Sequence, residues 1–195
     1  MTNIRVRKIY LAIFFAVITI IAASCGPNGE GGGTSVSPAT TTSLSADFNP
    51  DSGSSSGTVS LQKMSVTNDI VYLNIDIDNI YDVYGASIKL DYDSSKVKWV
   101  NTESHQDGNF LEKSVGQPFY AVALDGQAGE GRLVIGVSLL ASETTVGGSG
   151  TLITIPFRVI SKGSTSISLD SSILLDSTGE QISVSSWNGG TILGS

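Results

Sequence analysis

Beyond Thr58 the apolar residues recur at every second position, and few patterns narrow the choice of fold as sharply. In Val71 to Asp78 (VYLNIDID), Val71, Leu73, Ile75 and Ile77 share one face, while Tyr72, Asn74, Asp76 and Asp78 share the other. Tyr84 to Tyr92 repeats the pattern, with Tyr84, Ala86, Ile88, Leu90 and Tyr92 inward and Gly85, Ser87, Lys89 and Asp91 outward. Further strands are expected at Ser60 to Val66, Val97 to Asn101, Phe119 to Leu124, Arg132 to Leu140, Thr151 to Ile160, Ser164 to Leu169, Ile173 to Leu175, Ile182 to Ser185 and Gly190 to Leu193. No window of helical period carries a cap. These short strands, separated by Gly, Asn, Asp and Ser turns, specify an all-β chain, an antiparallel β-sandwich of jelly-roll topology. At 195 residues the length suits one such domain, placed at 58 to 195. A domain of that size buries roughly two-thirds of its unfolded surface, enough for an independent core.

The N-terminus reads differently. Arg5, Arg7 and Lys8 precede an apolar run, Ile9 to Ala23, of 15 residues. Crossing ~30 Å of hydrocarbon takes about 20. The run therefore fits the core of a signal peptide spanning residues 1 to 24. It ends in Ala22-Ala23-Ser24-Cys25, small residues before the only cysteine in the chain. That arrangement resembles the lipobox of bacterial lipoproteins, which implies that Cys25 is acylated after cleavage and anchors the protein to the cell envelope. In a Gram-negative organism Gly26 after the cysteine implies export to the outer membrane; otherwise the site is the outer face of the plasma membrane. Cys25 is then spent on an anchor, and the fold has no cysteine for a disulfide.

Residues 25 to 57 are dominated by Gly, Ser, Thr, Pro and Asn, with three acids and no base. Such a segment buries too little apolar surface to offset its ordering entropy and is expected to be a flexible tether. Its r.m.s. span is ~30 Å, taking 5 to 6 Å times the square root of its length. Gly31-Gly32-Gly33 lacks the flanking strand and helix of a phosphate-cradling loop. The whole chain carries 18 acids against 11 bases, and loss of Arg5, Arg7 and Lys8 leaves eight bases, a net charge of -10. An acidic chain with scattered cations has no basic face for nucleic acid, which is excluded as a partner.

Three ordered segments resemble the cohesin family, the receptor modules that hold dockerin-bearing enzymes in bacterial multi-enzyme assemblies. The first is Asn79 to Gly85 (NIYDVYG), followed by Ser87 to Asp93 (SIKLDYD) and Lys96 to Val100 (KVKWV). The second is Gly131 to Leu139 (GRLVIGVSL), and the third Gly148 to Val159 (GSGTLITIPFRV) with Gly163 to Leu169 (GSTSISL). The resemblance implies a non-catalytic domain that binds a dockerin-like protein through a sheet face. It departs from the family at Ser94, where many cohesins place proline, and at Gly85 and Ser87, where some carry dockerin-binding Asn and Asp. On this resemblance the recognition surface is the outward row Gly85, Ser87, Lys89 and Asp91, with Val134, Gly136 and Ser138 on a neighbouring strand.

A second class of function stays open beside it, a carbohydrate-binding module recognising a polysaccharide through Trp187, Tyr72 or Tyr81. Trp187 sits by a turn, where it either stacks on a sugar or closes the end of the sandwich. Asp76 and Asp78 lie ~6.7 Å apart on one strand face, with Asp82 just beyond. Calcium wants six to eight oxygens, so these three form at most part of a site, and a solubilising acidic face is the simpler account. No cofactor is implied. His105 is the only histidine, which leaves no material for a zinc site or a Ser-His relay. No pair of carboxylates stands out by spacing as a glycosidase pair, so the chain is not expected to be an enzyme.

Overall fold

The computed structural model describes residues 43–53, 56–101, 105–113, 117–125, 131–140 and 144–195. The expected signal segment and Cys25 lie outside the described residues. Among the described residues, fourteen strands build three sheets. They are β1 (Ala46–Pro50), β2 (Thr58–Thr67), β3 (Ile70–Val83), β4 (Gly85–Asp91), β5 (Val97–Trp99), β6 (Gln106–Asp107) and β7 (Gln117–Asp125). After them come β8 (Arg132–Leu140), β9 (Val146–Val159), β10 (Gly163–Ile167), β11 (Ile173–Leu175), β12 (Gln181–Ile182), β13 (Ser186–Asn188) and β14 (Gly190–Gly194). The only helical element described is a single 3₁₀ turn at Leu111–Lys113.

The alternation explains the layers. A five-stranded sheet, β12-β11-β4-β8-β7, faces a six-stranded sheet, β13-β2-β3-β9-β5 with β6 also paired to β9. From the first, Ile88, Leu90, Leu133 and Ile135 point inward; from the second, Leu61, Leu73, Ile75, Ile77, Ile155 and Phe157 meet them in one continuous core. Tyr92 packs its ring edge on Phe157 at 5.0 Å and 73°, a favoured aromatic geometry. This is the expected all-β sandwich, antiparallel throughout the described pairs except where β13 runs parallel to β2.

β3 and β9 run well past their expected bounds. β3 continues past Asp78 because Asn79 and Asp82 adopt left-handed φ of 52° and 63°. There the pairing with β9 slips, stepping from Ile77↔Gly150 to Ile80↔Gly148 and Val83↔Val146. Such irregularities bend a strand without ending its ladder. The expected tether boundary at Gly57 is also corrected. β1 lies before it, pairs along its full length with β14, and buries Phe48 to 1% exposure. The compact unit accordingly spans Thr41–Ser195. Lys63 on β2 bonds Asp47 on β1 at 2.6 Å and holds that carboxyl below its usual range. Ser45 and Ser195 exchange backbone hydrogen bonds of 3.1 Å in both directions, and their hydroxyls meet at 2.6 Å.

Candidate functional site

The outward face of the five-stranded sheet is fixed by register. Phe119, Ser138, Gly85 and Leu175 form one cross-strand row; Ala121, Gly136, Ser87 and Ile173 form the next. Ala123, Val134 and Lys89 make the third row, and Arg132 and Asp91 belong to the fourth. The structure thus brings the seven residues expected at the recognition surface onto one face. Gly85 needs correction: it points outward by alternation but is buried, and a Cβ there would meet the Val137 carbonyl at 3.0 Å. It shapes the floor and offers no side chain to a partner.

The face changes character along its length. At one corner Phe119 is 54% and Leu140 52% exposed. Leu140 lies two residues from Ser138, the partner of Phe119, so the two are diagonal neighbours on the same face, within mutual reach. The middle is floored by Ala121, Gly136, Ser87 and Ala123. At the far end Arg132 forks onto Asp91, with Nε–Oδ1 2.5 Å and Nη2–Oδ2 2.8 Å. That bidentate pair satisfies both charges across the sheet. Lys89 stands beside it, its backbone N–H donating to the Ser172 hydroxyl at 2.9 Å and its ammonium in no ion pair among the described residues.

β7 was legible as a strand, but its role was not. In Phe119 to Leu124 (FYAVAL) both faces are apolar, so alternation alone does not tell which side meets solvent. The register decides it: Tyr120 and Val122 pack on the core, and Phe119, Ala121 and Ala123 face out. Tyr120 reaches the Gly108 carbonyl at 3.4 Å; burial, and then the charges of Asp107 and Glu112, push its phenol up to about 12 from 10.0. The unfolded chain loses that proton near pH 10 and the folded one does not, so the associated stability is complete below pH 10 and is lost as pH rises towards 12. Melting curves across that range should show a fall that becomes shallower in Tyr120→Phe.

The other candidates separate. Trp187, on β13 opposite Val59, is partly buried against the core. Tyr81 is 60% exposed and its ring lies over the Gly147 backbone, where a Cβ would come within 2.5 Å of it. Tyr72 is half-buried on the outward row of β3. Asp76 and Asp78 share that row, each accepting a hydroxyl bond of 2.7 Å, from Thr151 and Ser149. Asp82 is not brought to them; it faces Thr145, 3.4 Å away. Among the described residues no group of three His, Cys, Asp or Glu side chains could hold a metal. His105 lies 3.3 Å from Asp107.

A model described as the cohesin domain matches residues 57–193. The chain belongs to the cohesin family. Its three quoted segments all fall inside the match, and β1 lies just outside it. Solved structures share the cohesin fold. A type II cohesin domain from the cellulosome of Acetivibrio cellulolyticus is 21% identical with a TM-score of 0.52, covering 68% of this chain and 92% of the other. A type II cohesin–X-dockerin complex from the same organism is 17% identical with a TM-score of 0.52, covering 70% and 91%. The second type II cohesin module of an adaptor scaffoldin, again from Acetivibrio cellulolyticus, is 17% identical with a TM-score of 0.51 over 73% and 90%. No curated protein matches the chain.

Proposed function

We propose that this cohesin is a non-catalytic receptor, held to the cell envelope through lipidated Cys25, whose five-stranded sheet face binds a dockerin-bearing secreted protein. The carrying observation is the face itself: an exposed apolar corner, a floor of small side chains, and charges at one end. Large apolar anchors beside a flat floor suit a helix laid on the sheet, since hot spots need pockets or close approach more than area. Family membership and the dockerin held by one similar structure support the choice of partner. A link to polysaccharide breakdown follows if the captured protein carries an enzyme domain.

Gly136 gives the cleanest test. It sits mid-face, and a Cβ there meets nothing within 4 Å. Gly136→Leu should therefore leave the melting temperature unchanged while raising a bump where the partner lies. Immobilised protein should retain a secreted protein with a duplicated EF-hand-like segment, release it to chelator, and lose it in Gly136→Leu. Chelator sensitivity is expected because the calcium belongs to the partner's loops. Recovery of no such protein under either condition sinks the receptor reading.

For the anchor, two or three acyl chains hold a protein far better than one marginal chain, at ~0.8 kcal/mol per buried CH₂. Cys25→Ser should move the chain from the membrane fraction to the soluble fraction.

A further inference from the structure

The six-stranded sheet carries a second, chemically different face on the far side of the core. Along β3 its outward row is Tyr72, Asn74, Asp76 and Asp78. Beside Asp76 lie Ser60 of β2 and Thr151 of β9, and Asn109 and Ser149 close a groove of about 370 Å³. The groove is polar but not loosely so, because each group is aimed by one internal bond. Thr151 donates through its hydroxyl to Asp76 Oδ1 at 2.7 Å and through its backbone N–H to Asn109 Oδ1 at 3.1 Å. Ser149 donates to Asp78 Oδ1 at 2.7 Å. Gln62 donates to Ser60 at 3.3 Å. Among the described residues this leaves the second oxygens of Asp76 and Asp78, the carbonyl of Gln62 and the amide N–H groups of Asn109 facing the groove.

The donor set excludes most ligand classes. Two carboxylates repel anions, and Lys113, the nearby cation, is already bonded to the Ser149 carbonyl. A divalent cation finds only two carboxylates, each already accepting a hydroxyl, where calcium wants six to eight oxygens. A protein helix, 10–12 Å across, finds a lining that is polar but for Ile77 and Gly150, with little apolar surface to bury. What remains is a neutral polyol, whose hydroxyls donate to carboxylates and accept from amides in the same groove. Tyr72 continues the row ~13 Å from Asp76, where its half-buried ring can border a longer chain.

We propose that this groove binds a short stretch of a neutral polysaccharide, so that the domain holds a protein partner on one sheet and a glycan on the other. The proposal does not rest on dockerin binding. The test is isothermal titration of the full chain in detergent with cellohexaose, xylohexaose, mannohexaose and, as an anionic counterpart, hexagalacturonate. At least one neutral hexasaccharide should bind saturably. Affinity should fall by about tenfold or more in Asp78→Ala, as loss of a hydrogen bond to a charged group implies, and should be unchanged in Gly136→Leu. Asp76→Asn, which keeps side-chain shape, should also weaken binding, and the melting temperature reports whether either variant still folds. No saturable binding by any neutral hexasaccharide overturns the proposal. So does equal binding of hexagalacturonate, or neutral-sugar binding that survives in both Asp variants.

Discussion

Phe48→Ala should destabilise the domain by about 3–5 kcal/mol, the usual cost of removing a fully buried aromatic ring and leaving its cavity. In a domain of this size that is a fall in melting temperature on the order of ten degrees. The expectation is strong because Phe48 is one of the largest buried side chains and its strand is held on the β14 side by a five-residue ladder. Its ring also sits against Gly190, where a Cβ would meet Phe48 Cζ at 2.2 Å, so the site was built around it. A chain shortened to begin at Thr58 should lose at least as much stability. If that shortened chain melts like the complete one, β1 belongs to the tether after all.

On the docking face, the double variant Phe119→Ala/Leu140→Ala should weaken the dockerin-bearing partner by more than a hundredfold. Interface anchors of this kind are worth about 2 kcal/mol or more each, and every 1.4 kcal/mol is tenfold. Both side chains are half-exposed in the free domain, so truncating them leaves no cavity and the melting temperature should hold. Surface plasmon resonance against the captured partner measures the loss. Retention of affinity within about threefold would place the partner elsewhere, and the receptor reading would then survive with a different face.

Much of the sandwich was legible because period-two burial leaves a direct trace. β8 and β11 fall where alternation put them, and β3 and β4 differ only at their ends. What escaped has a common cause. β1 reads Ala-Asp-Phe-Asn-Pro inside a Gly/Ser-rich stretch, and its pairing with Thr191 and Ile192 joins parts of the chain that no local window connects. β13 is three residues long and was hidden for the same reason. The proposed docking face was half legible: alternation gave the outward rows of β4 and β8, Leu140 included, but not the adjacency of β7, and hence not Phe119 beside Leu140. Gly85 shows the opposite limit, since alternation gives the direction of a residue and not whether its neighbours cover it. The groove's Asp76 and Asp78 were visible as a pair; Asn109, Ser149 and Thr151 reach them only through tertiary placement.

The mutual clasp of Ser45 and Ser195 makes the domain a closed circuit. A protein re-cut so that residue 195 runs straight into residue 45, with new ends opened in an exposed turn, keeps every strand neighbour, and such permutants are commonly tolerated. Anything joined before Ser45 or after Ser195 leaves the domain from the same pole. The position of a partner bound as proposed is therefore set by where the sheets point and not by which end of the domain carries an attached segment.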